Sequence, residues 1–455
     1  MSLALIVLAA GQGTRMKSDL PKVLHEVGGA PLVHHAVSAG RALNPARVVL
    51  VTGHAAVQVE DVVERFDPGV EFVRQDDPLG TGHAVAQAAP LLADFAGDVV
   101  VLYGDTPFIS ADTLMHLMAA RQDHDIAVLG FQAAEPGRYG RLVKDGDCLK
   151  KIVEYKDADE ATRAISLCNS GILIAPAALL FRLIDALRPD NAAGEYYLTD
   201  IVELACAEDR SVTAVTCPEA ETLGVNSRAD LARAEAVFQK RARAAAMDAG
   251  VTLRDPDTVH LSYDTTFGRD VVIEPNVVFG PDVRIEDGAH IKSFSHLEGC
   301  HIGGNAVVGP YARLRPGAKL GAEARIGNFE ELKKAEIGTG AKVNHQSYVG
   351  EARVGDRANV GAGTITCNYD GVFKHRTEIG SDAFIGSNTM LVAPVSVGQG
   401  AMTASGSVIT NDVPDEALAV ARARQDNKPG LARKFFDALR RRKEKQQSIK
   451  KNEAE

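Results

Sequence analysis

The sequence predicts an α/β half followed by a parallel β-helix, and two patterns carry that reading. The first is a repeat of about six residues across positions 271–410. Aliphatic or aromatic residues recur at Ile273, Phe279, Ile285, Ile291, Leu297, Ile302, Val308, Leu314, Leu320, Ile326, Leu332, Ile337, Val343, Val349, Val354 and Val360, then at Ile379, Ile385, Leu391 and Val397. A helix repeats every 3.6 residues and an ordinary strand every two, so neither fits. Short strands winding round a prism, with apolar side chains stacked inside and glycines at the corners, do fit. The second pattern lies in the first half. Apolar runs at 4–10, 47–52, 99–103 and 126–131 alternate with helical stretches opening near Thr81 and Ser110. That βαβ rhythm predicts an open parallel sheet with helices on both faces. Residues 228–248 are rich in Ala and Arg and free of Gly and Pro, which predicts a linking helix. The chain thus divides into a first domain over 1–227, the helical linker 228–248 and a repeat domain with a basic tail over 249–455.

Composition narrows the class. A chain of 455 residues is long for one domain. At 45% hydrophobic and 24% charged it can bury large cores, and its net charge of −10 argues against a nucleic-acid partner. The six cysteines lie far apart without CxxC spacing, as reduced thiols of a cytoplasmic protein do. The apolar start is too short to cross a bilayer and reads as a buried first strand; no transmembrane segment or export signal follows. The stretch 431–455 gathers basic residues round Phe435, Phe436 and Leu439 and reads as a solvated helix. Polyanion binding is the alternative, with nothing else in the sequence behind it.

Strand one runs into Leu8-Ala9-Ala10-Gly11-Gln12-Gly13-Thr14-Arg15-Met16, followed by Leu20-Pro21-Lys22. Small residues between a strand and a helix let backbone N–H groups approach a phosphate. The Gly-Lys-Ser/Thr of a Walker A loop is missing, as is the third glycine of a dinucleotide fingerprint. A GxG alone is often just a tight turn, but Arg15 and Lys22 add the cations a triphosphate needs. Gln75 and the segment Gly80-Thr81-Gly82-His83 are placed to read a base edge and open a helix. Tyr103-Gly104-Asp105 ends an apolar strand, the ligand edge of an open α/β sheet. A lone Asp there could merely cap the next helix. With Asn226, however, Asp105 offers two oxygen ligands to Mg²⁺, which commonly takes one or two protein ligands plus phosphate oxygens. Gly140, Glu154 and Asn169 supply hydrogen-bonding groups suited to a sugar.

Register in the repeat can be counted. Three hexads make one coil, so Val343, Val360, Ile385 and Thr403 stack, and the residues two places on form a ladder: His345, Ala362, Ser387 and Ser405. A histidine topped by small residues leaves a groove for a thin ligand such as a pantetheine arm. The one large break in the repeat, between Thr366 and Ile379, inserts a loop over 367–376. A lone histidine in a solenoid is more often a plain surface residue; ladder and loop together argue otherwise. Flat prism faces and a projecting loop suggest a homotrimer with sites between subunits.

The combination LxxGxGTRM…LPK resembles the sugar-1-phosphate nucleotidyltransferases. Joined to a hexapeptide solenoid, the whole chain except its basic tail resembles the bifunctional N-acetylglucosamine-1-phosphate uridyltransferase/glucosamine-1-phosphate acetyltransferase family of cell-wall precursor synthesis. The resemblance implies a Rossmann-like nucleotidyltransferase domain and a left-handed β-helix, although the general crossover rule favours right-handed turns. It implies that Leu8, Ala9, Gly11, Lys22, Gln75, Gly80, Thr81, Tyr103 and Asp105 meet UTP and its Mg²⁺. Gly140, Glu154 and Asn169 would meet N-acetylglucosamine-1-phosphate, and Asn226 the metal. His345 matches the general base of acetyl transfer, with Arg315, Lys333, Tyr348, Asn359 and Lys374 around glucosamine-1-phosphate. Ala362, Asn368, Tyr369, Ser387, Ser405 and Arg422 match positions that contact acetyl-CoA; Ser405 departs from the alanine usual there. Two rivals are a solenoid that serves only oligomerisation and a non-catalytic nucleotide-sugar sensor. The His345 ladder argues against the first, and Lys22, Asp105 and Asn226 together argue against the second.

Overall fold

A computed structural model describes residues 2–452 and divides into two compact units, one over 1–288 with 296–299 and one over 289–295 with 300–455. The first unit is built on a nine-stranded sheet. Its strands are β1 (Leu3–Leu8), β2 (Arg47–Thr52), β3 (Glu71–Arg74), β4 (Asp98–Tyr103), β5 (Ile126–Gln132), β6 (Arg141–Asp145), β7 (Cys148–Val153), β8 (Leu167–Pro176) and β9 (Val212–Cys217). They lie in the order β3-β2-β1-β4-β8-β5-β9-β7-β6. Residues of β1 alternate between the two cores: Leu3, Leu5 and Val7 pack on one face, Ala4, Ile6 and Leu8 on the other. A strand covered on both sides is apolar throughout, which is why it reads as an unbroken run.

The sheet differs from the all-parallel expectation. β1 to β4 are parallel, as are β5 and β9. β8, however, runs antiparallel to both β4 and β5, and β6 and β7 form an antiparallel hairpin. The chain reaches β8 from that hairpin through one short helix, Glu160–Arg163, instead of a full crossover, so it enters the sheet from the opposite end. Helices α1 (Leu32–Arg41), α2 (Ala56–Phe66), α3 (Thr81–Ala86) and α4 (Ala111–Gln122) follow the expected alternation. Ser110 caps α4 by accepting from the Thr113 amide at 3.1 Å.

Helix α5 spans Arg228–Asp248, and Ser227 caps it through the Asp230 amide at 3.2 Å. It belongs to the first unit by its contacts. The Gln239 side chain bridges to Leu261, donating to the carbonyl at 2.7 Å and accepting from the amide at 2.8 Å.

The second unit is a solenoid of parallel strands. Pairs run His290↔Val307, Val307↔Arg325, Arg325↔Lys342, Lys342↔Asn359, Asn359↔Phe384 and Phe384↔Met402, each one coil apart. The long step from Asn359 to Phe384 holds the inserted loop. Every aliphatic residue of the counted repeat is buried. The corners differ from expectation in one respect. Glycine turns some, as at Gly363 and Gly406, but Phe294, Tyr311 and Phe329 occupy the left-handed region in successive coils. Bulky residues rarely accept that conformation. Here their rings stack at 4.9 and 5.1 Å between centroids, which offsets part of the strain.

Candidate functional sites

The first site forms at the carboxyl ends of β1 and β4, which are neighbours with Leu8 opposite Tyr103. The strand order reverses between them, the usual ligand crevice of such a sheet. Leu8, Ala9, Gly11, Lys22, Gln75, Gly80, Thr81, Tyr103 and Asp105 line one cleft of about 350 Å³. Ala10, Val23, Pro78, Ala84 and Glu195 complete it. Of these five, Glu195 is the polar residue that sequence reasoning missed, because its segment carries no phosphate-loop or strand-end signal. Gly104 links Tyr103 to Asp105 and its amide donates to Leu8 at 2.9 Å. Arg15 sits on the turn Thr14–Met16 and is exposed, outside the residues lining the cleft.

Two glycines are required here. Gly13 has φ +62°, and a Cβ on it would lie 2.5 Å from Lys22 Cβ, so only glycine lets the lysine cross the loop so closely. Gly80 has φ +116°, and a Cβ would lie 2.6 Å from the Tyr196 carbonyl. Gln75 donates to the Gly80 carbonyl at 3.0 Å, fixing both residues.

Lys22 is the electrostatic centre. Its Nζ stands 2.5 Å from Asp105 Oδ2 and 3.1 Å from Asn226 Oδ1. The Val225 amide donates to the Asp105 carbonyl at 2.9 Å, which brings the segment before α5 to the end of β4. A carboxylate and an amide oxygen thus converge on one positive charge. This donor set fits a hard divalent ion whose remaining ligands come from phosphates.

Tyr103 joins this cleft to the group of Gly140, Glu154 and Asn169. A Cβ on Gly171 would fall 2.5 Å from its ring, so the backbone of β8 lies directly against it. Burial pushes the phenol pKa up, with the charges of Glu154 and Asp105 adding to it. Gly140, Glu154 and Asn169 come together as expected. The Asn169 amide donates to the Gly140 carbonyl at 2.8 Å, and a Cβ on Gly140 would sit 3.2 Å from Glu154 Oε1. A register shift in β8 between Asn169 and Leu173 re-aims this stretch. Burial raises the Glu154 carboxyl, and Asp200 and Asp157 raise it further. The Thr199 hydroxyl, absent from the sequence reading, donates to Glu154 at 3.4 Å.

The second site lies on the solenoid. Val343, Val360, Ile385 and Thr403 are in register, so His345, Ala362, Ser387 and Ser405 stack as counted. The ladder extends one rung lower than the sequence reading took it. Asn328 pairs with His345, and its Oδ1 lies 2.9 Å from His345 Nδ1. An amide oxygen only accepts, so Nδ1 is the donor in this bond, and in the neutral ring the lone pair is on Nε2. Arg422 ties to the top of the ladder, donating to the Ser405 carbonyl at 2.9 Å. Below His345 opens a cleft of about 550 Å³ lined by Lys292, Arg325 and Asn344 among others.

On the adjoining face Lys333, Tyr348 and Asn368 form one hydrogen-bonded and ionic group through Glu351, and Arg315 makes a separate ion pair. Arg315 pairs with Glu331 at 2.9 Å and Lys333 with Glu351 at 3.8 Å. Asn368 donates to Glu351 and, at 3.4 Å, to the Tyr348 hydroxyl. Glu331 and Glu351 were not singled out from the sequence, since acidic residues are common at outward hexad positions. Asn359 stands on the strand next to that of Lys342, on the His345 face. Lys374 sits 4.2 Å above the Tyr369 ring inside the inserted loop. That loop is braced by Asp370, which accepts from the Val372 and Phe373 amides and pairs with His375 at 2.7 Å. These partners hold its carboxyl well below the usual range.

The two sites define a nucleotidyltransferase joined to a hexapeptide-repeat transferase. Residues 5–193 match the MobA-like NTP transferase domain, and residues 264–299 and 376–411 match the bacterial transferase hexapeptide (six repeats). The chain is 63% identical over 438 residues to the bifunctional protein GlmU of Jannaschia sp. (strain CCS1), covering 96% of both chains. It is 62% identical to that of Ruegeria sp. (strain TM1040), over 97% of this chain and 99% of that one. The corresponding protein of Paracoccus denitrificans (strain Pd 1222) shares 61%, over 97% and 98%. The chain belongs to the GlmU family of bifunctional enzymes, with uridyltransferase and acetyltransferase activities in UDP-N-acetylglucosamine synthesis. Its repeat region is accordingly a left-handed parallel β-helix.

Proposed function

We propose that the two activities divide between the two sites: uridylyl transfer at the Lys22–Asp105 cleft of residues 1–227, acetyl transfer at the His345 ladder of residues 249–455. In the first, a phosphate oxygen of N-acetylglucosamine-1-phosphate attacks the α-phosphorus of UTP and pyrophosphate leaves. Lys22 binds a phosphate oxygen, and Gly140, Glu154 and Asn169 orient the sugar. Asp105 and Asn226 would hold Mg²⁺, which when bound offsets charge on the phosphates.

In the second, the amine of glucosamine-1-phosphate attacks the thioester carbonyl of acetyl-CoA. His345 Nε2 takes the amine proton as the C–N bond forms, and the C–S bond breaks to release CoA, which leaves as the thiol after gaining a proton. Arg315 and Lys333 bind the sugar phosphate, with Tyr348, Asn359 and Lys374 beside it. Ala362, Asn368, Tyr369, Ser387, Ser405 and Arg422 line the acetyl-CoA path. The observation that carries this reading is the hydrogen bond of His345 Nδ1 to Asn328, which leaves Nε2 as the acceptor a general base needs.

The working form is a homotrimer acting in the cytoplasm. No described helix is long and apolar enough to cross a membrane. The test is CoA release from acetyl-CoA with glucosamine-1-phosphate, measured beside UDP-N-acetylglucosamine formation in single-site variants. Loss of both activities in a folded Asp105→Ala enzyme would refute the division.

A further inference from the structure

The C-terminal helix α6 (Leu431–Asn452) takes no part in either site. From Leu431 to Ser448 every side chain is exposed apart from the half-buried Asp437, so this stretch is not packed into any other described part of the chain. Its sequence is nevertheless patterned. Leu431, Phe435 and Leu439 recur every four residues and form one stripe, flanked by Phe436; they are 51, 62, 46 and 58% exposed respectively. Arg433, Lys434, Arg440 and Arg441 fall on the other side of these turns, and Arg442, Lys443 and Lys445 outnumber Glu444 in the following turn. Over the whole helix nine basic residues face two acidic ones, in a chain whose net charge is −10. One of the two acids, Asp437, already pairs with Arg440 at 3.6 Å.

A solvated helix needs no aromatic stripe, and a nucleic-acid arm would leave one in water. A helix with an apolar face, a cationic opposite face and low overall hydrophobicity lies in the plane of a lipid–water interface. Its cations then meet anionic headgroups while the rings enter the acyl boundary. We propose that α6 docks this enzyme on anionic phospholipid bilayers as a peripheral, non-inserting anchor. The connector 420–430, which has no regular secondary structure, separates the anchor from the last solenoid strand, Leu418–Ala419. This inference is independent of the site assignments above.

The chain contains no tryptophan, so Phe436→Trp in the full-length enzyme creates a single reporter on α6. Vesicles of phosphatidylcholine with phosphatidylglycerol are expected to shift its emission to the blue and to carry the protein down on sedimentation. Pure phosphatidylcholine vesicles should do neither, and high salt should reverse the binding. Arg440→Gln, Arg441→Gln and Arg442→Gln together should weaken the apparent affinity roughly a hundredfold, at about fivefold per charge. Phe435→Ser with Leu439→Ser should abolish the blue shift, while both enzymatic activities in solution stay at wild type. Three results would overturn the proposal. One is no binding to the anionic vesicles. Another is an emission already blue without lipid that reddens on dilution, since the stripe would then be covered by a second copy of the chain. The third is equal binding to heparin and to vesicles with the indole still exposed, since charge alone would then account for it.

Discussion

Glu330→Gln should make the solenoid more stable, and increasingly so as pH rises from 5 to 8. Glu330 sits at an inner corner of the prism, 1% exposed. The positions stacked with it are small or hydroxylic: Ala312, Ser347, Thr364, Thr389 and Ser407. Its Oε2 accepts from the Ser347 amide at 3.0 Å, but its Oε1 is buried without a hydrogen-bond partner. Burial pushes the carboxyl up from 4.5 to about 8, with the Ser347 amide opposing.

The sign follows from where the proton sits. Between the unfolded value and about 8 the folded protein keeps this proton while the unfolded chain releases it. The contribution favouring the fold is therefore full below the unfolded value and is lost as pH climbs toward the folded one. The slope is one proton, about 1.4 kcal/mol per pH unit. From pH 5 to pH 7 this single group removes about 3 kcal/mol, a sizeable part of a typical unfolding free energy. Glutamine has nearly the same shape and does not titrate, so the variant lacks that slope. Hydrogen exchange of the solenoid amides around 343–349, compared at pH 5, 6, 7 and 8 after correction for intrinsic exchange, reads the difference locally. It avoids assuming that a two-unit chain unfolds in one step. Parallel pH profiles for the two proteins would show that Glu330 is ionised in the fold, and the argument from burial would fail.

The other predictions concern the two sites. Asp105→Ala should abolish UDP-N-acetylglucosamine formation, even at raised Mg²⁺, and leave CoA release unchanged in paired assays. Lys22→Ala should cost the uridylyl step severely while Lys333→Ala costs only the acetyl step; paired assays showing the reverse would mean the cations are misassigned. His345→Ala should lower acetyl transfer by about 10²–10⁴-fold, the usual worth of a general base, with uridylyl transfer and subunit assembly intact. Asn328→Ala should lower the acetyl kcat by a smaller factor with little change in KM, because it frees the imidazole tautomer without removing the base.

The solenoid was legible because its signal repeats. A period of six survives local noise, and one residue two places past each inward aliphatic can be followed up the prism, which brought His345 to Ala362, Ser387 and Ser405. Asn328 obeys the same rule one coil down, two places past Ile326, and was missed because an asparagine below a histidine carries no chemical signal until their distance is known. Strand direction was illegible for a different reason. The stretch 172–175 of β8 is as apolar and buried as its neighbours β4 and β5, to which it runs antiparallel, and hydrophobic runs do not record polarity. The first strand was read to Ala10 yet ends at Leu8. Ala9 still donates to Val51 at 2.8 Å, but the chain is already turning into the phosphate-loop segment. Glu330 was passed over because a hexad pattern marks its aliphatic position and says little about the residue two places before it.

Both sites share one physical arrangement, and it bears on how they would bind phosphate. Three of the candidate phosphate-binding cations are already held by a carboxylate: Lys22 by Asp105, Arg315 by Glu331 and Lys333 by Glu351. A free lysine or arginine would lose rotamer entropy on closing over a phosphate. These side chains have lost part of it in folding, so a phosphate bound there as proposed would meet cations already aimed. The arrangement has a cost, because the phosphate must share or displace a carboxylate. At the first site the cost is smallest if the displaced charge keeps a partner. Asp105 and Asn226 converge on the same point, so under the proposed function a divalent ion bound with the nucleotide would give Asp105 a new cation as Lys22 turned to the phosphate. At the second site there is no such pair of ligands, and the carboxylates Glu331 and Glu351 instead remain on the strand face. If glucosamine-1-phosphate binds there as proposed, its ammonium brings its own positive charge. A zwitterionic substrate suits a site of alternating signs better than a bare phosphate does, which would give that site a reason to prefer the amino sugar over its acetylated product.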